Sequence, residues 1–208
     1  MTLVVAELGR LWHRRASWVL LGTGVALVLL MALPITAGAA GIAWQGYGTA
    51  VIGIAGLIGC ALSGLLGGTF WGADFRHGTI AALLIFVPDR LRVWAARTVA
   101  VALGGLCLAA AVLGWAWLLV GVLSGGAAFL GEEGAQSLDL TGRILALCVM
   151  AALLGAFLAT IFKSTAAAAF GPLAYLLLRG VFALARQTVG GGVLQFVLPD
   201  AYLAAFIT

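Results

Sequence analysis

Charged side chains are scarce in this chain, and lysine occurs only once. Lys, Arg, Asp and Glu make up 9% of its 208 residues, whereas about 25% of a soluble globular domain is charged. Hydrophobic residues reach 64% and the mean hydropathy is +1.19. This composition excludes a water-soluble fold and predicts an integral membrane protein. The sequence pI of about 9.4 does not indicate nucleic-acid binding, because the basic residues lie at the ends of apolar runs, where membrane topology explains them.

Side chains that bind metals or nucleotides are equally few. His13 and His77 stand alone, so no metal-ligand cluster is predicted. The cysteines, which sit singly inside apolar runs and are expected to behave as small buried apolar residues, are Cys60, Cys107 and Cys148. The lone lysine lies in "FKST" (162–165), which resembles the end of a phosphate-binding loop, but phenylalanine replaces the glycines that this loop needs. Direct ATP binding is therefore not predicted.

Five apolar runs of spanning length follow one another along the chain. Each is near or above the ~20 residues with which an α-helix crosses a hydrocarbon core of ~30 Å. Isolated strands are excluded because lipid cannot satisfy an open sheet edge. The runs cover residues 17–40, 48–71, 94–124, 143–162 and 165–186. The sequence therefore predicts an all-α, polytopic membrane helix bundle.

The basic residues set the expected orientation. With a cytoplasmic N-terminus, most arginines and Lys163 fall on the cytoplasmic side, as the positive-inside rule favours. The acidic loop "GEEGAQSLD" (131–139) then lies outside, and the mixed-charge segment 72–92 lies in the cytoplasm. A secretory signal is the alternative for the first run, since "AGA" at 37–39 resembles a cleavage site, but its ~23 apolar residues exceed the 7–15 of a signal core.

A short amphipathic segment precedes the first run. In "ELGRLWHRR", helical spacing places Leu8, Leu11 and Trp12 on one face and Arg10 and Arg14 on another. We expect this helix to lie in the membrane interface before the chain turns into the bilayer.

Small residues recur four positions apart in the apolar runs. This spacing lets helix backbones approach closely in lipid, either within one bundle, which we favour, or between subunits. The pairs are Gly64 and Gly68, Gly121 and Gly125, and Ala151 and Gly155.

Two polar features inside or beside the later runs have alternative interpretations. Arg179 lies within the fifth run, where a charge is costly; it either faces a pathway beside the helix kink expected at Pro172 or snorkels to the outer interface. Glu132 and Glu133 resemble the start of the signature of CAAX-type intramembrane peptidases. The arginine of that signature is missing and no histidine follows, so a solvated external loop is the preferred interpretation.

Segment 72–92 is polar at first, then amphipathic, then apolar. Residues 80–87 are too few to span a bilayer, Thr79 can cap a short helix, and Pro88 should end it. Mixed charge together with the apolar Phe75 favours docking to another protein over attraction to lipid. A short cytoplasmic docking helix is therefore expected between the second and third spans.

At this segment the chain resembles a known family, the transmembrane subunits of ABC-2 type transporters. In "ADFRHGTIAALLIFVPDRLRVWAARTVAV", an acidic residue precedes Gly-Thr, Leu-Leu, a Pro-x-Arg turn and a basic start to the third span. The amphipathic "ELGRLWHRR" and the "FKST" turn support the resemblance. It covers residues 1–208 as a single transmembrane domain, and residues 74–97 are its specific part.

The resemblance implies a permease subunit of an exporter in the bacterial inner membrane. ATP and Mg would be bound by a separate ATPase subunit, and a second permease, identical or different, would complete the pathway for an apolar or amphipathic substrate. No catalytic residue, metal or cofactor is expected on this chain. By resemblance, the residues that dock the ATPase are Asp74, Phe75, Arg76, His77, Gly78 and Thr79, within coupling region 72–92. Its turn comprises Pro88, Asp89 and Arg90, and the connecting helix (1–15) carries Arg10, Arg14 and Arg15.

The sequence departs from that family at its C-terminal end. Members usually carry six spans, and residues 187–208 resemble the external re-entrant region that precedes the sixth. The chain is then either an unusual short member or one whose sixth span follows Thr208, and we favour the second interpretation. A non-catalytic accessory or immunity membrane protein is the alternative function. Such a protein would share the composition but would need no ATPase-docking helix.

Overall fold

The regular structure of the chain is helical wherever the structure describes it. The computed structural model describes residues 2–38, 47–77, 89–123 and 132–164, all of which belong to one compact unit. The helices in these ranges are α1 (Thr2–Trp12), α2 (Arg15–Gly38), α3 (Tyr47–His77), α4 (Arg90–Leu123) and α5 (Glu132–Phe162). The all-α prediction is confirmed for these residues.

Three of the helices are long and apolar enough to cross a membrane. Their apolar stretches are Gly48–Phe75, Leu91–Val122 and Gly134–Phe162, of 28, 32 and 29 residues. At 1.5 Å per residue, each exceeds the ~30 Å of a hydrocarbon core. The chain is therefore a helical membrane protein. The corresponding part of α2, Arg15–Leu30, is apolar but shorter.

The first four predicted runs each fall on a helix, and the largest differences at the helix starts are at α4, which begins four residues before its run, and at α5, which begins eleven residues before its run. Helix α4 starts at Arg90 because Asp89 caps it: the Arg92 backbone N–H donates to Asp89 Oδ1 at 3.4 Å, and Arg92 Nε lies 2.9 Å from Asp89 Oδ2. Helix α5 ends at Phe162, within the predicted turn "FKST", where Lys163 has a positive φ of 48° that stops the helix.

The prediction of an external loop at 131–139 is wrong for residues 132–139, which form the first turns of α5. An ion pair of 2.8 Å between Arg143 Nη2 and Asp139 Oδ2 joins successive turns there, and such pairs stabilise a polar helix. The fifth predicted run and the re-entrant region 187–208 lie outside the described residues.

Helix α3 is the centre of the bundle and packs on α5 most closely. A Cβ added at Gly67 would overlap the carbonyl oxygen of Ala152, and one at Gly155 would overlap that of Gly64. These two backbones are thus in direct contact, and the packing role predicted for Gly64 and Gly155 is confirmed. We call this line of contact the glycine seam. In lipid, where apolar side chains gain nothing by leaving their surroundings, such close approach is a main source of helix association.

The other helices cover the remaining side of α3. Helix α4 crosses it at Ser63, whose hydroxyl donates to the Gly105 carbonyl at 3.2 Å. Helix α1 lies against α4 and inserts Leu11, which is 4% exposed, towards Gly104 and Leu66. This contact brings the charged face of α1 to the place where α3 ends and α4 begins.

Candidate functional site: a buried charged cluster

Five charged side chains from three helices and one turn meet where α3 ends and α4 begins. We call them the Asp74 cluster. Its members are Glu7 and Arg10 of α1, Arg14 between α1 and α2, Asp74 in the last turns of α3, and Arg97 in the second turn of α4. Glu7, Arg10 and Arg14 are spaced three and four residues apart, so helical geometry places them on one side of the N-terminal segment.

Asp74 is the hub of the cluster. Its Oδ1 accepts a hydrogen bond from Arg10 Nη2 at 2.6 Å and another from Arg14 Nη2 at 3.3 Å. Its Oδ2 lies 3.0 Å from Arg97 Nη1. The residue is 1% exposed, so its carboxylate is shielded from water to a degree that the acids of surface pairs are not.

Arg97 connects the two carboxylates. Besides its contact with Asp74, its Nε donates to Glu7 Oε1 at 3.3 Å, and its guanidinium carbon lies 5.6 Å from the centroid of the Trp71 ring. Arg97 is 1% exposed. One side chain of α4 thereby holds α1 and α3 together through ion pairs and a cation–π contact.

Arg14 fixes the turn between α1 and α2 to α3. Its guanidinium carbon lies 5.0 Å from the Phe70 ring centroid, and Nη1 donates to the Phe70 carbonyl at 3.4 Å. Burial lowers the pKa of Arg14 from its ordinary value, the positive charges of Arg10 and Arg97 act in the same direction, and Asp74 opposes them. An arginine stays protonated at physiological pH even so.

The cluster carries an excess of positive charge, with three guanidinium groups and two carboxylates. Some of its buried polar atoms have no hydrogen-bond partner among the described residues, namely Glu7 Oε2, Arg97 Nη2 and the indole nitrogen of Trp71. The part of the chain that the structure describes has no group of His, Cys, Asp and Glu that would hold a metal ion, and the cluster offers no nucleophile. Its chemistry is electrostatic, and its effect is to fix the relative positions of α1, α3 and α4.

The predicted docking residues differ in their burial, and several of them lie outside the described residues. Asp74 is buried and paired with arginines of the same chain, and its predicted part in docking stays a prediction. Phe75 is partly buried and stacks on Trp71 at a centroid distance of 6.5 Å, so it is not a fully exposed anchor. Arg76 and His77 form the end of α3, and their side chains, like Gly78, Thr79 and Pro88, lie outside the described residues.

The remaining predicted site residues separate into three groups. Arg10 and Arg14 share a face as predicted, and that face contacts Asp74, while Arg15 is exposed. Asp89 is exposed and caps α4, which begins at Arg90. Pro172 and Arg179 lie outside the described residues.

Sequence reasoning missed Glu7, Trp71 and Arg97 as members of the site. The sequence contains a signal for two of them. Glu7 is a lone acid on the arginine face of α1, and Arg97 is an arginine inside an apolar helix. Each needs a partner of opposite charge. The contact with Trp71 leaves no such signature, since an aromatic residue in an apolar run is ordinary.

The interpretation of the cysteines as isolated residues is wrong for two of the three. Cys60 Sγ of α3 and Cys148 Sγ of α5 lie 3.1 Å apart. Residues 88 positions apart share no local pattern, so only the pairing of the two helices shows that they meet.

An apolar groove of about 440 Å³ lies between α4 and α5. Trp117 Nε1 donates to Thr141 Oγ1 at 3.0 Å, and that hydroxyl donates to the Ser137 carbonyl at 2.7 Å. These bonds occupy polar groups beside the groove. Its apolar lining includes Leu113, Trp117, Leu138 and Leu145.

Comparison of this chain with known protein families, curated proteins and solved structures finds no match.

Proposed function

We propose that this chain is the permease subunit of an ATP-driven ABC-2 type exporter that moves an apolar or amphipathic substrate outward. The observation that carries the proposal is the position of the Asp74 cluster beside segment 78–88, the predicted coupling helix. Asp74 lies four residues before that segment, and Arg97 lies nine residues after it. Both are bound to the N-terminal connecting helix α1.

A coupling segment is useful only if its displacement moves the spans. A force on residues 78–88 would act on the end of α3 and the start of α4, which Arg97 and Asp74 join at 3.0 Å. Because breaking a buried ion pair costs about 3–5 kcal/mol, these helix ends and α1 would move together. The cluster therefore suits a rigid connection between a docking segment and the membrane domain.

The groove between α4 and α5 supports the proposed substrate class. Its lining is apolar, and the indole N–H of Trp117 is engaged by Thr141. Apolar pockets with few polar groups bind apolar ligands. ATP and Mg would be bound by the partner subunit, and a second permease would face this one across the pathway.

The first test is a mild-detergent pull-down of the tagged full-length chain from its own membranes, with ATPase activity measured in the eluate. The docking variant replaces residues 78–87 with a Gly/Ser segment of equal length. Deleting residues 74–79 would be a poorer choice, because it removes Asp74 and so disturbs the fold together with the docking segment. The matched control replaces residues 124–131, between α4 and α5, in the same way.

We expect the wild type and the control to recover an ATP-hydrolysing partner, and the docking variant to lose it while keeping a normal elution profile. Recovery of all three proteins without such a partner would refute the proposal. An accessory or immunity membrane protein would then be the better interpretation.

A further inference from the structure

Two reduced thiols face each other inside the membrane bundle. Cys148 on α5 is fully buried at 0% exposure, whereas Cys60 on α3 is partly exposed. Their sulfur atoms lie 3.1 Å apart, and either S–H group can donate the hydrogen bond between them. The third cysteine, Cys107, is on α4 and is exposed.

The glycine seam enforces this proximity. Contacts ascend together along α3 and α5: an added Cβ at Gly56 would meet Ile144 at 2.8 Å, Cys60 meets Cys148, and Gly64 meets Gly155. A Cβ at Gly59 would lie 3.6 Å from Cys148 Sγ. Because backbone touches backbone in the seam, the two helices keep Cys60 and Cys148 opposite each other.

Two reactions are open to such a pair of thiols, metal binding and oxidation. Zn²⁺ takes four ligands, but the described residues hold no group of three or more His, Cys, Asp and Glu side chains that would supply them. A disulfide needs ~2.05 Å between the sulfur atoms, which moves them closer and leaves the seam intact. The geometry favours oxidation over metal binding.

We propose that Cys60 and Cys148 form an oxidisable dithiol that links α3 to α5 as an intramolecular disulfide. The oxidant is a lipid-soluble two-electron hydrogen acceptor of the quinone or azo class, which reaches the partly exposed Cys60 from the bilayer. Both S–H bonds break and one S–S bond forms. The acceptor takes up the two electrons and two protons, becoming a hydroquinone or a hydrazine. This site is independent of the proposed transport function.

The test uses the full chain in phospholipid nanodiscs and diamide, a membrane-permeant azo acceptor. After treatment, the protein is denatured, its remaining thiols are labelled with a maleimide, and its intact mass and peptides are measured. The wild type should lose two hydrogen atoms, label at Cys107 alone, and yield a peptide pair joined through Cys60 and Cys148. Oxidation of the pair should be at least about tenfold faster than loss of Cys107, because fixed neighbouring groups react intramolecularly.

Single substitutions supply the controls. Cys107→Ser should still form the bond and then take up no label, whereas Cys60→Ser and Cys148→Ser should keep both remaining thiols. Labelling of all three thiols in the diamide-treated wild type would overturn the proposal. Loss of the Cys107 thiol at the same rate as the Cys60 and Cys148 thiols would also overturn it. The mapped wild-type peptides decide the question even if a serine variant fails to fold.

Discussion

Replacing Asp74 with asparagine removes the hub of the charged cluster with little change in shape. Three guanidinium groups that contact the carboxylate at 2.6–3.3 Å would then share Glu7 alone. The arginines do not contribute equally to the cost. The side chains of Arg10 and Arg14 are 33% and 26% exposed, so each can turn towards water, and each loss should be below about 1 kcal/mol.

Arg97 determines the magnitude because its side chain is only 1% exposed. A buried charge with no partner costs about 3–5 kcal/mol, and this is the upper limit of the loss, because Arg97 keeps Glu7 at 3.3 Å. For a chain of this size each kcal/mol lowers the Tm by ~2–4 °C, so we expect Asp74→Asn to unfold below the wild type by as much as ~6–20 °C. The assay is thermal unfolding in detergent followed by intrinsic fluorescence, for which the seven tryptophans are suited.

The matched control is Asp139→Asn. This residue pairs with Arg143 at 2.8 Å along a single helix, but its side chain is 64% exposed. Such a pair contributes about 0.3–0.5 kcal/mol, so the Tm should fall by no more than ~2 °C. Both variants lose one negative charge, so a difference between their Tm values reports the effect of burial and not that of the change in net charge.

A second substitution tests the reason for the loss. Adding Arg97→Met to Asp74→Asn removes the buried charge that has lost one of its two carboxylate partners, so the double variant should be more stable than the sum of the two single losses by at least ~1 kcal/mol. An Asp74→Asn variant that matches Asp139→Asn in Tm would refute the reasoning. Strict additivity of the two single effects would also refute it, because the residues would then not be coupled.

Two further predictions concern packing. Gly67→Ala should destabilise the bundle by ~1–3 kcal/mol or more, because its new methyl group would overlap the Ala152 carbonyl. Gly142→Ala should be near neutral, because nothing lies within 4 Å of the added methyl group. Unfolding by SDS titration measures both variants, and equal midpoints would contradict close packing in the glycine seam. Leu11→Ala should lower the free energy of unfolding by ~2–5 kcal/mol, because it leaves a cavity between α1 and α4. Leu91→Ala should be tolerated, because Leu91 is 79% exposed. Limited proteolysis of α1 would detect the difference, and similar digestion of both variants would count against this prediction.

Hydrophobic pattern alone located most of the described bundle. Composition predicted a membrane protein, and run length placed the four helices after α1 to within a few residues at most ends. The larger differences are at the end of α3, which continues to His77, and at the starts of α4 and α5, where local polar contacts extend a helix beyond its apolar run. The pairs Asp89–Arg92 and Asp139–Arg143 do so at the starts of α4 and α5, and a hydropathy window does not register them.

The site was only partly accessible to the same reasoning. Asp74, Arg10 and Arg14 were identified by resemblance and by face, but the resemblance assigned Asp74 to the contact with a partner and gave no sign of its burial within the chain. Its burial depends on α1 folding back across the ends of α3 and α4, which is a tertiary event. The contact of Cys60 with Cys148 depends likewise on the register of α3 against α5, and neither helix contains that information alone.

Two kinds of contact join the helices of this bundle, and both resist separation. The glycine seam joins α3 to α5 through backbone contact along several turns, and close packing of this kind does not deform gradually. The Asp74 cluster joins α1 and α4 to α3 through buried ion pairs, and breaking such a pair costs about 3–5 kcal/mol. If the protein changes conformation, we therefore expect α3, α5 and the helix ends that meet at the cluster to move as one body.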